Sequence, residues 1–195
     1  MRPRDENKVI QLKQKAIEMI VRDGIEAFGV NKLAKAAGVA PGTIYIYFKD
    51  KEALLLTLCQ EVSQRILESS LQGLEPDMPF AKGMQLQWKN RYQFSRLHPE
   101  EVAFIEKVRY TSVYESIEER LTARYGKLLL AFLTKAVADK QLAEMPFEMY
   151  WSLAFAPLYQ LISFSRQHIH RKRKFTLTDE LLLQTLAHTL KGMKP

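Results

Sequence analysis

Cysteine, glycine and proline are all scarce in this sequence of 195 residues, which has one cysteine, eight glycines and eight prolines. A single cysteine excludes an intramolecular disulfide and a multi-cysteine metal site. Because Cys59 lies in an apolar run, we expect it to be buried rather than reactive. Glycine and proline separate long helical patterns and do not mark hairpins. The sequence therefore predicts an all-α protein.

Long apolar runs are also missing. No run approaches the roughly 18 residues that span a bilayer, and the N-terminus through Glu6 lacks the apolar core of a signal peptide. We therefore expect a soluble, cytoplasmic protein that has no membrane partner. The sequence also lacks a Gly-rich phosphate loop, a nucleophile elbow and a His-rich metal motif. We expect no enzyme activity, no cofactor and no metal.

Positive charge, by contrast, is plentiful. The formal net charge is +7 and the isoelectric point is about 9.4. A basic balance favours an anionic partner, and nucleic acid is the commonest one. Charge alone does not separate DNA from RNA or from a membrane surface.

Apolar residues recur at three- and four-residue steps along most of the chain, as buried helical faces require. The predicted helices lie at about 5–23, 31–37, 41–47, 51–70, 79–97, 99–110, 114–139, 146–168 and 177–191. We expect Gly24 to end the first helix, Gly38 to form a tight turn and Asp50 to cap the fourth helix. Pro157 falls inside the 146–168 pattern, so it is expected to kink or split that helix.

The segment from Val30 to Phe48 has the pattern of a helix-turn-helix. Gly38 permits the sharp turn, and Ile44 lies four residues before Phe48, so both anchor the second helix inward. The N-terminal end of that helix offers amides to phosphate and side chains to base edges in the major groove. The residues left at this end and on the outer face are Pro41, Gly42, Thr43, Tyr45, Ile46 and Tyr47.

The run from Leu33 to Leu54 resembles the N-terminal domain of the TetR family of transcriptional regulators. It contains a glycine-valine turn, a Gly-Thr-hydrophobic-Tyr helix, a Tyr-Phe pair and a Lys-Glu-x-Leu helix start. The resemblance implies a three-helix DNA-binding domain followed by a helical bundle that binds a ligand and forms a dimer. Beyond about residue 55, the chain resembles the family only in length and helical character.

The resemblance also implies which residues contact DNA. Thr43 and Tyr45 match residues of the family's recognition helix, whereas Tyr47 and Lys51 match residues that contact the phosphate backbone. The full set of predicted DNA-binding residues is Asn31, Lys32, Pro41, Gly42, Thr43, Tyr45, Tyr47 and Lys51. Many family members have a threonine cap before the second helix, but this chain has Gly29, which is a weaker cap.

Ile46 has two interpretations. It could contact a thymine methyl group, or it could pack beside the fourth helix.

A glycine and two prolines interrupt the helical pattern over 72–79, which makes this stretch the best boundary. The sequence predicts a helix-turn-helix domain over 1–55, a connecting helix over 51–70, and a ligand-binding and dimerisation domain over 71–195. The resemblance implies that helices 146–168 and 177–191 form the interface of a homodimer, and the wide leucine stripe of the second helix supports this. The basic run over 166–174, which includes two histidines, is expected to be a solvated loop.

Aromatic residues concentrate in the second half of the chain. This composition is typical of a pocket for a flat or apolar ligand, although plain core packing better explains any single one of them. The predicted ligand-binding residues are Met84, Trp88, Tyr92, Phe104, Tyr110, Tyr114, Trp151, Phe155 and Tyr159.

Our leading hypothesis is a dimeric regulator that binds double-stranded DNA at a palindromic operator. It would be a repressor that a small hydrophobic or aromatic effector releases. The alternative is a helical adaptor that binds protein partners and has kept a degenerate helix-turn-helix. Salt dependence separates the two hypotheses, because binding to DNA releases counterions and weakens steeply as salt is added.

Overall fold

The computed structural model describes residues 6–166 and 175–195. Helices occupy most of these ranges and no strand occurs in them, so the prediction of an all-α protein is confirmed. The helices are α1 (Glu6–Asp23), α2 (Val30–Ala36), α3 (Pro41–Tyr47), α4 (Lys51–Leu71), α5 (Phe80–Leu97), α6 (Pro99–Val108), α7 (Ser112–Ala138), α8 (Phe147–Arg166) and α9 (Asp179–Lys191). Each of these bounds falls within two residues of the predicted position. The basic run predicted as a loop lies outside the described residues beyond Arg166.

The chain divides into two compact units, and the division falls inside α4 and again inside α7. The first unit contains the residues up to Arg65 together with His98–Thr122, and the second contains Ile66–Leu97 and the residues from Ala123 onward. The sequence placed α6 in the second domain. The contacts place α6 in the first unit, because it packs against α1.

The first unit is built on α1, which packs against both α2 and α6. Ile20 of α1, Leu33 of α2 and Ile44 of α3 are fully buried, as their apolar spacing predicts. Gly24 and Gly38 have φ values of +87° and +66°, which only glycine adopts without strain, so both predicted turns are confirmed.

Two further local predictions in the first unit are confirmed. The Oδ1 atom of Asp50 accepts a hydrogen bond of 2.7 Å from the amide of Ala53 and so caps α4. Cys59 is buried, and burial raises the pKa of its thiol to about 12, which leaves it unreactive at neutral pH.

The second unit packs α5 against α8 and α9. Its core contains large side chains that are almost fully buried, namely Phe80, Met84, Trp88, Phe132, Tyr150, Phe155, Leu158, Leu182 and Leu186. Gly83 lets α5 approach the Phe132 ring, because a Cβ atom at this position would lie 2.5 Å from that ring.

Pro157 was expected to kink or split its helix, and the structure excludes the split, because α8 runs unbroken from Phe147 to Arg166. Proline removes one amide donor and crowds the preceding turn, which leaves carbonyl groups there short of partners. In this turn, the indole Nε1–H of Trp88 donates a hydrogen bond of 2.8 Å to the carbonyl of Ala154. Packing against both α5 and α9 then holds the helix together around the proline.

Over the described parts of the chain, no helix is long and apolar enough to cross a membrane. Among the same residues, no group of three His, Cys, Asp or Glu side chains comes together in a way that could hold a metal ion.

Candidate nucleic-acid interface

The short helix α3 turns one face inward and leaves the other open. Ile44 and Phe48 are buried, whereas Pro41 and Gly42 at the N-terminal end are exposed. No side chain caps this end, where Ala40 has an extended backbone. The predicted anchor positions therefore orient the N-terminal end of α3 toward solvent, as contact with a DNA groove requires.

The open face of α3 carries large side chains that contribute little to the core. Tyr45 is 52% exposed and Ile46 is 66% exposed, while Thr43 and Tyr47 are partly buried. This exposure favours contact with DNA over packing beside the fourth helix, the two interpretations of Ile46. An exposed isoleucine between two tyrosines suits contact with a thymine methyl group better than it suits a solvated helix surface.

The first turn of α2 lies beside this surface in sequence and is also exposed. Asn31 and Lys32 are both at the surface. Gly29 is the N-cap residue, with φ −155° and ψ 149°, and no side chain caps the helix. The expectation of a weaker cap without a hydroxyl is thus confirmed.

Two lysines bind the loop between α1 and α2. The Nζ atom of Lys51 donates to the carbonyl of Ile25 at 3.1 Å and lies 5.9 Å from the centre of the Phe28 ring. The Nζ atom of Lys32 donates to the carbonyl of Ala27 at 2.9 Å. Sequence reasoning missed these bonds because loop carbonyls leave no sequence pattern. Each ammonium group has three donors, so both lysines keep donors for a phosphate.

Positive charge and aromatic groups coincide on this part of the first unit. Exposed Lys35 and Lys49 add to the two lysines that hold the loop. Lysine beside tyrosine is a common combination for contacts with the phosphate backbone, which position a protein on DNA.

Comparison with known proteins reaches the same region. The sequence profile of the family described as "Bacterial regulatory proteins, tetR family" matches residues 14–58. A fatty acid metabolism regulator protein from Bacillus subtilis (strain 168) is 44% identical over 61 residues, which are 31% of each chain. An uncharacterized HTH-type transcriptional regulator from Haemophilus influenzae is 33% identical over 81 residues, 42% of this chain and 43% of the relative. The matches thus cover less than half the length of these curated relatives.

One solved structure extends the likeness to the whole chain. A TetR family transcription regulator from Marinobacter aquaeolei VT8 has a TM-score of 0.86 and 27% sequence identity, covering 100% of this chain and 99% of that chain. The chain thus resembles TetR-family regulators, in sequence over residues 14–58 and in fold over its whole length. All eight predicted DNA-binding residues, from Asn31 to Lys51, lie within the part that the TetR family profile matches.

The predicted ligand-binding residues are divided between the two units. Phe104, Tyr110 and Tyr114 lie in the first unit, where Phe104 is fully buried and Tyr110 is 87% exposed. Tyr114 is partly buried. The residues that lie in the second unit are Met84, Trp88, Tyr92, Trp151, Phe155 and Tyr159.

The second unit brings some of these residues into contact. The rings of Trp151 and Phe155 have centres 4.8 Å apart, while Tyr159 is partly buried and packs against the core. Tyr92 donates a hydrogen bond of 2.5 Å from its hydroxyl to the carbonyl of Leu177. Tyr92 also lines a cleft of about 410 Å³, together with Lys89, Gln93, Arg96, Leu97 and Asp179.

Sequence reasoning missed two polar residues inside the second unit. Gln87 is fully buried and Arg91 is 4% exposed, and both lie on α5. Their spacing from Trp88 was the available signal, since positions 84, 87, 88 and 91 share one face of a helix. That face was otherwise apolar, so the two polar residues indicated something more specific than packing.

Proposed function

We propose that this chain is a transcriptional regulator that binds a double-stranded operator as a homodimer and releases it when an effector binds the second unit. The proposal depends mainly on the open face of α3, where Tyr45 and Ile46 are exposed beside lysines. The match of residues 14–58 to the TetR family profile supports the same function. The protein would act in the cytoplasm, where its DNA lies.

The side chains have different roles at the operator. The hydroxyl of Thr43 can donate to or accept from a base edge, and Ile46 can contact a thymine methyl group. Tyr47 and the lysines contact phosphate, which fixes orientation without distinguishing sequences. Because Lys51 is bonded to the loop carbonyl of Ile25, its charge is held in place before DNA arrives.

We propose a dimer because a single helix-turn-helix makes few contacts with DNA. Two such units that are related by a two-fold axis bind half-sites about 34–36 Å apart, or a multiple of this distance. We propose α8 and α9 as the interface, and the exposed Leu181 and Leu183 of α9 support this proposal. Effector binding would then change the spacing of the two DNA-binding units, which requires different effector affinities in the two states.

We propose that the effector is largely apolar and that the protein is a repressor. The aromatic side chains of the second unit support an apolar effector. The similar protein from Bacillus subtilis, a fatty acid metabolism regulator protein, agrees with an apolar effector.

Selection of bound fragments from a random DNA pool tests the proposal with the full-length chain. We expect an enriched inverted repeat whose half-sites lie one helical turn or a multiple apart. Affinity for that repeat should fall steeply as salt is added, because bound phosphates release counterions. A pool without enrichment, or binding that salt leaves unchanged, would contradict the proposal and favour the adaptor hypothesis.

Three variants test the assigned contacts on the selected site. Thr43→Ala should change the base preferred at one position in each half-site, whereas Tyr47→Ala should weaken binding to all sequences alike. Lys107→Ala is the control for surface charge, since it removes an exposed positive charge from α6 outside the helix-turn-helix. Unchanged affinity and preference in both Thr43→Ala and Tyr47→Ala would count against these contacts.

A further inference from the structure

Two buried polar side chains on α5 have donor groups without an acceptor in the part of the chain that the structure describes. The Nη1 atom of Arg91 donates to the carbonyl oxygen and to the Oε1 atom of Gln87, both at 3.3 Å. The Nε atom of Arg91 and the Nε2 atom of Gln87 have no hydrogen-bond partner among the described residues. Buried polar groups are nearly always hydrogen-bonded, so two adjacent exceptions call for an explanation.

The charge of Arg91 is also uncompensated. None of the Asp and Glu side chains that the structure describes pairs with it. Its guanidinium lies instead 4.0 Å from the centre of the Phe155 ring and 5.8 Å from that of Trp151. Stacking on aromatic rings offsets only part of the cost of burying a charge, which normally requires an anionic partner.

A third donor lies close by. Tyr150 is buried, and its hydroxyl donates to the sulfur of Met84 at 3.5 Å, a weak acceptor. Burial raises the pKa of the Tyr150 phenol, and the positive charge of Arg91 has a smaller, opposite effect on that pKa. The cluster of Gln87, Arg91 and Tyr150 therefore has more donors than acceptors among the described residues.

Aromatic rings connect this cluster to the surface. Phe155, which covers the guanidinium, is fully buried, and the centre of its ring lies 4.8 Å from that of Trp151. Trp151 is partly exposed, and the centre of its ring lies 5.9 Å from that of Phe147, which is exposed. An apolar molecule that displaced the Trp151 ring would reach Arg91 along a continuous apolar surface.

We propose that the effector is a carboxylic acid with an apolar body, held by Arg91 and Gln87. Its carboxylate would accept hydrogen bonds from the unused donors of both side chains and neutralise the buried guanidinium. Its apolar body would lie against Trp151 and Phe155. This inference rests on the proposed function and names the chemical class of its effector.

Tryptophan fluorescence tests the proposal directly. The chain has only two tryptophans, Trp88 and Trp151, and both lie in the second unit. The full chain is titrated with decanoate, with 4-phenylbutyrate, and with the uncharged 1-decanol and 4-phenylbutanol. We expect saturable binding of at least one carboxylate, and at least about tenfold weaker binding of the matching alcohol. The carboxylate that binds shows whether the apolar body is aliphatic or aromatic.

Substitutions locate the binding site. Arg91→Met should weaken binding of that carboxylate about ten- to hundredfold, because charged hydrogen bonds are lost. Gln87→Glu is the second variant and keeps the test valid should Arg91→Met fail to fold. It places a carboxylate beside Arg91, so it should reduce binding at least about tenfold by occupying the guanidinium itself. Lys82→Met is the matched control, because it removes an exposed positive charge from the same helix, outside the cleft that Tyr92 lines.

The inference is overturned if wild-type chain binds neither carboxylate, if the alcohol binds as tightly as its acid, or if neither Arg91→Met nor Gln87→Glu weakens binding more than Lys82→Met does. DNA binding is measured separately on the selected operator, with and without the carboxylate. Operator binding without carboxylate binding would refute the inference alone. Carboxylate binding that requires Arg91, in a chain that binds no DNA, would support the site and refute the proposed function.

Discussion

The two units use their polar side chains in opposite ways. In the first unit, the polar residues of the candidate DNA interface either reach solvent or bind loop carbonyls, as Lys32 and Lys51 do. In the second unit, Gln87 and Arg91 are buried among aromatic rings and keep unused donors. A surface that binds DNA can rely on water until DNA arrives. Buried donors have no such substitute, so they indicate a ligand more specifically than exposed ones do.

The comparison of the two units assumes that α6 belongs to the first unit. Substitution of Phe104 tests this assumption, and it has the largest expected effect on the unfolding free energy. Phe104 is fully buried, so Phe104→Ala should lower the free energy of unfolding by about 3–5 kcal/mol. Tyr110→Ala, two residues after α6, should change it by less than about 0.5 kcal/mol, because Tyr110 is exposed. Urea unfolding measures both values, and hydrogen exchange should show the loss of protection in α1 as well as in α6. If Phe104→Ala lowered hydrogen-exchange protection only in the second unit, the assignment of α6 to the first unit would be contradicted.

The sequence was sufficient for the helices and for which side of α3 is buried. Both depend on local patterns, such as the spacing of Ile44 and Phe48 and the turn at Gly38, which a single stretch of chain carries. It was insufficient for the cluster around Arg91, since that cluster joins α5 to Tyr150 and Phe155 of α8. No pattern within one helix shows which side chains of another helix will face it, or that their donors will lack acceptors.

Alanine substitutions at two glycines, one in each unit, compare how tightly the two units are packed at these positions. A methyl group at Gly83 would lie 2.5 Å from the Phe132 ring and 3.0 Å from the side chain of Leu74. Phe132 is buried and stacked on Phe80, so Gly83→Ala should lower the free energy of unfolding by about 1–3 kcal/mol.

Gly42 of the first unit is the matched position. No atom lies within 4 Å of a methyl group there, so Gly42→Ala should leave stability unchanged or raise it by up to about 1 kcal/mol. Thermal and urea unfolding of both variants measure the difference. Equal losses in the two glycine variants would show that the second unit is packed no more tightly at Gly83 than the first unit is at Gly42.

We expect helix N-caps to contribute about equally to the unfolding free energy in the two units. Asp50 accepts from the amide of Ala53 at 2.7 Å at the start of α4, and Thr178 accepts from that of Leu181 at 3.2 Å at the start of α9. A cap acts on its own helix only, so Asp50→Ala and Thr178→Ala should each cost about 1 kcal/mol of unfolding free energy. Asp50→Asn and Thr178→Ser keep the acceptor and should restore most of that loss. A cost confined to one unit would contradict this local explanation.

The smallest expected change in unfolding free energy is that of Arg91→Met, and it is the most informative about the role of Arg91. An arginine that stabilised the second unit through its contacts would cost several kcal/mol on removal, as large buried side chains do. Arg91 lacks a counter-ion among the described acidic residues, and its Nε atom has no hydrogen-bond partner. A methionine of similar length should fit in its place without the cost of burying an unpaired charge. Arg91→Met should therefore change the unfolding free energy by less than about 1 kcal/mol.

The measurement is urea unfolding without ligand, with Met84→Ala as the comparison. Met84 is fully buried in the same unit, and its truncation should cost about 2–5 kcal/mol. If Arg91→Met cost as much as Met84→Ala, then the stacked guanidinium would be a structural element of the core. A buried charge whose removal costs almost nothing in stability, yet weakens carboxylate binding about tenfold or more, is instead retained for its ligand.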